Sequence, residues 1–348
     1  GPWQVLRGHG EAELWKPEVA DKLGPWKPVT VPGGLLVGID RNEMKNVRSV
    51  WARRSFTLDE THAARDVVLR WNGIRFGAVF YLNGRKLGEH TAIGPGLLLI
   101  PKGVVRRGGN ELVLKVTGWA GVPRGQKGWP LFPVGSSTQV WGSKQASIYY
   151  DIWLEFYDRA LMKWVLAIPD LKRKAVRLRV WLDGPAALPE QMTLSARVGP
   201  AGTKRMPDAA SVEVPKGASR TDVVVPLRNV RLWTPETPNL YAAELTLKSG
   251  PKVCDRVRIR FGMREIKVVD GHYSLNGKRL WLRGSNLVNE WHWGGLFNRN
   301  IKRYIVDEAR VMNLNCFRTH TLPPPPLWLD VCDEHGTMIL AEFPVLYN

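Results

Sequence analysis

The sequence predicts a mainly β chain: two consecutive β-sandwiches, then the opening of a parallel strand–helix unit. Three observations carry that reading. Short runs alternate apolar and polar side chains with a period of two up to about Gly262, as half-buried strands do. Two hairpin-turn pairs, Asp270-Gly271 and Asn276-Gly277, then punctuate a joint between Arg258 and Asn286. Beyond the joint the apolar spacing switches to three and four, and strands alternate with helices.

At 348 residues the chain has room for about two or three domains, and 44 % hydrophobic residues supply ordinary cores. No apolar run approaches the ~20 residues of a membrane-spanning helix. The chain opens on Gly1-Pro2 with neither a signal-peptide pattern nor an initiator Met, which reads as a trimmed start. Cytoplasmic and periplasmic or secreted locations both stay open. Cys254, Cys316 and Cys332 are an odd set at no metal-ligand spacing and read as buried free thiols. The 50 Lys and Arg against 32 Asp and Glu would suit nucleic acid, but they are scattered singly along strands and no nucleic-acid motif accompanies them. The expectation is a basic surface that serves solubility, with neither nucleic acid nor membrane as partner.

Residues 1–147 form the first predicted unit. A short strand at 27–32 ends in Pro32-Gly33-Gly34. Residues 49–58 (SVWARRSFTL) offer Trp51 and Phe56 to a core, and 66–71 (DVVLRW) follow. Residues 77–82 turn through Asn83-Gly84 into 85–89, and 110–117 (NELVLKVT) alternate cleanly. Short strands with regular turns predict a sandwich, in which Asn83-Gly84 and Gly109-Asn110 are turn chemistry. Residues 118–147 set Trp119, Trp129 and Trp141 among Gly, Pro and Ser. So long a loop is usually functional or disordered, and two readings stand: rings that stack on sugar faces, or an aromatic plug against the next unit.

Residues 148–265 form the second unit. Runs at 148–156, 164–169, 175–183, 192–198, 221–227, 241–247 and 254–261 make about seven strands, the number of an immunoglobulin-like sandwich. The Cys…Trp…Cys pattern of antibody domains is absent, so strand arithmetic alone carries this. Residues 266–348 form the third. A strand at 280–283 precedes a helix at 298–312 whose predicted apolar face is Ile301, Tyr304, Ile305, Ala309 and Met312. A strand at 315–318, a helix at 326–335 with Pro at its start and Gly336 past its end, and an apolar strand at 337–342 complete the pattern.

Four stretches then stand out together. They are 148–155 (IYYDIWLE), 232–241 (LWTPETPNLY), the joint, and 315–342. The joint carries Phe261-Gly262-Met263-Arg264-Glu265, Leu275-Asn276-Gly277-Lys278, and Leu282-Arg283-Gly284 with Asn286. The last stretch carries an Arg after its first strand, a Pro cluster and 329–336 (LDVCDEHG). In these, over about residues 27–348, the chain resembles glycoside hydrolase family 2, which contains β-galactosidases, β-glucuronidases and β-mannosidases. The resemblance implies a jelly-roll sugar-binding-type sandwich (1–147), an immunoglobulin-like sandwich (148–265) and the start of a catalytic TIM barrel (266–348). A barrel needs eight strands and about 250 residues, so this one is incomplete, and further chain or a partner subunit is expected to complete it. Three strands leave open apolar edges, so the segment after about Gly277 is not expected to be stable alone.

The function implied is hydrolysis, with retention, of a non-reducing-end β-glycosidic bond in carbohydrate metabolism. The alternative is a non-catalytic carbohydrate-binding or structural sandwich module. Retaining glycosidases use two carboxyl groups about 5–5.5 Å apart. By resemblance both lie on later barrel strands, so no catalytic residue is assigned here. The substrate-binding residues implied are Asn286, Glu290, Arg318, His320 and Glu342. Leu287-Val288-Asn289-Glu290 replaces the family's common Arg-His-Glu-His type, which leaves the sugar open. The metal-ligating Glu and His of some β-galactosidases would fall near Leu346 and Asn348, which cannot serve, so neither metal nor cofactor is expected.

Overall fold

The computed structural model describes residues 2–7, 16–23, 25–36, 38–91, 94–123, 145–148, 150–183, 188, 190–287, 298–319 and 324–342. The first sandwich sets a six-stranded sheet against smaller ones. Its order is Lys27–Val29, Trp3–Arg7, Ser49–Leu58, Gly108–Thr117, Ala78–Leu82 and Arg85–His90. Facing it are Ile152–Tyr157, Asp66–Trp71 and Gly96–Ile100, with the short strands Gly33–Gly34, Ser147–Ile148 and Ile74–Arg75 beside them. Alternation drives one face of each strand inward. Val50, Leu69, Trp71, Phe80 and Leu114 meet there, with the Trp71 and Phe80 rings stacked at 4.4 Å.

Two turn residues do more than turn. Asn83 and Gly84 take the left-handed conformations of a tight hairpin, φ 50° and 78°. The Asn83 amide donates to Val104 O and Asn110 Oδ1, and its oxygen accepts from Glu111 N. Asn110 in turn donates to Arg106 O and Gly108 O. Both amides are spent on tying loops to the sheet. Of the Trp-rich segment, 124–144 lie outside the described residues, Trp129 and Trp141 with them. Trp119 packs edge-on to Phe76 at 5.7 Å.

The strand Ile152–Tyr157 pairs residue by residue with Asp66–Trp71, from Ile152 opposite Trp71 to Tyr157 opposite Asp66. The sequence grouped it with the second sandwich; its hydrogen bonds are to the first. Alternation marks a strand but not its partner, and the partner of this strand lies in the first sandwich.

The second sandwich packs Leu161–Asp170, Ala175–Asp183 and Arg220–Pro226 on Asp208–Val214, Met192–Pro200, Leu240–Ser249 and Lys252–Gly262. Among the described residues its strands number seven, but by a different membership. Asp208–Val214 (DAASVEV) escaped notice because Ala209, Ala210 and Ser211 blur its alternation. Val176, Leu178, Val180, Leu194, Val198 and Leu245 fill the core, and Cys254 is buried beside them. All three cysteines are buried free thiols.

The joint is a three-stranded antiparallel sheet, Ile266–Val269, His272–Leu275 and Lys278–Arg279, with Asp270-Gly271 and Asn276-Gly277 as its turns. A parallel sheet of Gly284–Leu287, Cys316–Thr319 and Met338–Leu340 follows. Its first strand begins at Gly284 rather than spanning 280–283, because Leu280 and Leu282 belong to the connection. Arg299–Val311 and Pro326–His335 cover one face. Asn298 caps the first helix by accepting from Asn300 N and Ile301 N, and Gly336, at φ 73°, ends the second.

The first of these helices is rotated from the expected face. Its buried residues are Lys302, Val306 and Ala309, while Ile301 and Met312 are exposed and Tyr304 is 64 % exposed. Periodicity could not find this face because a lysine holds the centre of it. The Lys302 ammonium lies 4.5 Å from the centre of the buried Trp328 ring, an attraction that lets a cation occupy a core position.

The second sandwich grips the parallel unit at the end where its strands begin. Trp233 Nε1 donates to Asp333 O at 2.7 Å, and Arg264 pairs with Asp333 at 3.0 Å. Arg260 forks between Asp330, at 2.7 Å, and Glu334, which Arg299 also holds. Burial alone would raise the Glu334 carboxyl, but hydrogen bonds from Arg260 and Arg299 outweigh it and hold it below its ordinary 4.5. A carboxylate with a depressed folded-state value gives stability above its unfolded value and loses it as pH falls through the folded one. Acidification from pH 6 through and below 4.5 is therefore expected to loosen this joint. Hydrogen exchange in the Pro326–His335 helix should rise before that of the sandwich strands. Equal acid sensitivity of Glu334→Gln and the parent would refute it.

Candidate functional site

Strand parity builds the site. Leu287, Phe317 and Ile339 turn towards the helices, into the small core with Val306, Trp328 and Val331. The residues between them therefore face the other way. Asn286 lies opposite Arg318 in register, and Arg318 opposite Leu340. They line an open concavity of about 370 Å³ with Leu282, Gly284, Ser285 and Cys316.

Arg318 organises the strand ends. Its Nε donates to Glu342 Oε1 at 2.5 Å, its Nη2 reaches the same oxygen, and its Nη1 donates to Asn286 Oδ1 at 3.0 Å. The backbone of Glu342 is pinned too, its N–H donating to Thr319 Oγ1 at 3.0 Å. A planar guanidinium thus fixes an amide from the first strand and a carboxylate after the third in one frame. The amide Nδ2 of Asn286 donates to no described residue and stands at the concavity. Such a rim of donors beside an arginine-held carboxylate can bind hydroxyls and orient a polar ligand.

Three of the five expected substrate-binding residues, Asn286, Arg318 and Glu342, are therefore brought together. Glu290 and His320 lie outside the described residues. Thr319 was missed; the only signal for it was a hydroxyl adjacent to Arg318 at a strand end. Among the described residues no group of three or more His, Cys, Asp or Glu could hold a metal ion. Cys316 and Cys332 are unsuited to nucleophilic work. Burial raises both thiols, Cys332 to about 12.

Two sandwiches leading into a parallel strand–helix sheet, with polar groups at the carboxyl ends of its strands, define a barrel-type protein with its site at the barrel mouth. Comparison with known proteins narrows the class. Residues 163–264 match the model of glycosyl hydrolases family 2, and 266–346 match that family's TIM barrel domain. A putative β-glucuronidase of Formosa agariphila is 23 % identical over 327 residues, 92 % of this chain and 38 % of that protein. A β-galactosidase of Thermoanaerobacter pseudethanolicus is 24 % identical over 84 % of this chain and 39 % of its own length. The crystal structure of a family 2 member from Bacteroides cellulosilyticus superposes with a TM-score of 0.79 at 18 % identity, over 98 % of this chain and 47 % of that one. The chain belongs to glycoside hydrolase family 2, and its fold is mainly β with a barrel segment. It spans well under half the length of these curated relatives.

Proposed function

We propose that this chain is the N-terminal part of a retaining β-glycosidase that removes a β-linked sugar from the non-reducing end of a carbohydrate. The observation that carries the reading is the Arg318 fork at the strand ends, holding Asn286 and Glu342 together. A sandwich-only binding module would have no use for such a frame, so that alternative is not favoured. Three units serve the reading: a sugar-binding-type sandwich ending with Ile152–Tyr157, an immunoglobulin-like sandwich to about Glu265, and a barrel segment from Ile266. The name of the Formosa relative makes β-glucuronides the first substrates to try.

In this reading Asn286 donates to a sugar hydroxyl, and Arg318 positions both Asn286 and Glu342. Glu290 and His320, which follow the first and second strands in sequence, complete the contacts. Among the described residues the lining of the concavity carries no carboxylate, and Glu342 beside it is committed to Arg318. We therefore place the acid/base and the nucleophile on further barrel strands, about 5–5.5 Å apart as double displacement requires. The test is a proton NMR time course on nitrophenyl β-glucuronide, β-galactoside and β-mannoside, using the protein from its complete reading frame. The β-anomer should appear first. An α-anomer first, or no hydrolysis of any β-glycoside, would sink the reading.

A further inference from the structure

A second concavity, of about 830 Å³, opens where the second sandwich meets the C-terminal end of the Pro326–His335 helix. That helix runs from the mouth end of the sheet to the opposite end. Its 10 residues at about 1.5 Å each put about 15 Å between the two. The cleft is therefore separate from the site around Arg318, and its volume suits a small-molecule ligand.

Its charge is unbalanced. Arg205, Arg228, Arg231 and Arg260 line it, against Asp208 and Glu334. Arg260 is satisfied by Asp330 and Glu334. Arg205 and Arg231 have no ion-pair partner among the described residues. These arginines come from the turn after Met192–Pro200 and from the segment after Arg220–Pro226, so only the fold gathers them.

A buried acceptor lies in the same wall. The Asp208 side chain is 8 % exposed, and its Oδ1 accepts no hydrogen bond from the described residues. The nearest cation is Arg228 Nε at 3.7 Å, too far for a hydrogen bond. An unmatched buried acceptor asks for an explanation. Arg228, 83 % exposed, is the cation beside it, and both line the cleft. Gly199, Pro200, Ala201 and Gly202 form a wall without long side chains, and the Asn229 amide stands exposed at the edge.

We propose that this cleft binds an anionic oligosaccharide, its acid group on Arg205 and Arg231 and its hydroxyls on Asp208 and Asn229. The choice of a saccharide rests on the glycosidase reading; the choice of an anion rests on the cleft alone. Held there, an acidic polymer would be anchored away from the mouth while its end is processed.

Calorimetric titration of the protein with a galacturonic acid tetramer, at about 50 mM salt to limit screening, tests this. Saturable binding is expected, at least about tenfold weaker in Arg205→Ala/Arg231→Ala and unchanged in Arg318→Ala. Both arginines of the double variant are exposed, so its melting temperature should match the parent's. A sulfated tetramer that binds more tightly would support the site and identify sulfate as its anion. Equal binding of the carboxyl-reduced tetramer would overturn the proposal. So would competition by inorganic sulfate at the tetramer's own concentration, or loss of binding in Arg318→Ala rather than in the double variant. The readout is binding alone, so failure here leaves the glycosidase reading intact, and failure of hydrolysis leaves an anion site measurable.

Discussion

Arg318→Ala is expected to lower kcat of the complete enzyme about 100-fold, the order of loss that misplacing a positioned group causes. Without the guanidinium, Asn286 and Glu342 lose the group that sets them in one frame. Arg318→Lys should rescue little, because a point charge cannot fork to two acceptors. Thr319→Val, which releases only the Glu342 backbone, should fall between the two. Stability should change little. The pair is partly open, 41 % and 27 % exposed, so solvent screening holds its net contribution to about 1 kcal/mol or less. Steady-state kinetics and thermal melts together decide the matter. A kcat kept within about threefold beside a clear fall in melting temperature would make Arg318 a structural tie, because transition-state positioning appears in kcat.

What was legible in the sequence was what short stretches dictate for themselves. Asp270-Gly271 and Asn276-Gly277 announce hairpins because few other pairs accept two consecutive left-handed residues. Gly336 marks a helix end because a missing Cβ is needed there. What failed depends on the other side of a contact. Ile152–Tyr157 alternates as well against one sheet as another. The inward face of Arg299–Val311 could not be found without knowing that a tryptophan 26 residues further on would accept Lys302. The same limit runs through the site. Asn286, Arg318 and Glu342 were named from resemblance, and strand parity makes their shared face understandable. The Thr319 anchor had no signal beyond a hydroxyl next to Arg318, and the arginines around Asp208 had none, since both are assembled from separate elements.

Trp233→Ala is expected to cost about 3–5 kcal/mol, the range for a large aromatic removed from a packed site. Trp233 is 1 % exposed, and the Arg264 guanidinium lies 4.5 Å from the centre of its ring. Its carbonyl accepts from Asn276 Nδ2 at 3.0 Å, so one residue ties sandwich, joint and helix. Space for it depends on Gly262, where an added Cβ would meet the Trp233 Cβ at 2.8 Å. Most of the loss should fall on the parallel unit, whose own core is small: Leu287, Val306, Ala309, Phe317, Trp328, Val331 and Cys332. The sandwich core of Val176, Leu194, Val223 and Leu245 does not depend on Trp233 for its packing. In limited proteolysis of Trp233→Ala, cuts after Gly284 should therefore accelerate while 161–262 stays protected. Trp233→Phe keeps most of the ring and deletes the donor to Asp333, so about 1 kcal/mol is expected there. If Trp233→Ala instead exposed the sandwich strands and left cleavage after Gly284 unchanged, the tryptophan would be a core residue of the sandwich rather than the clamp. The parallel unit would then be held to the sandwich by Arg260 and Arg264, through Asp330, Glu334 and Asp333.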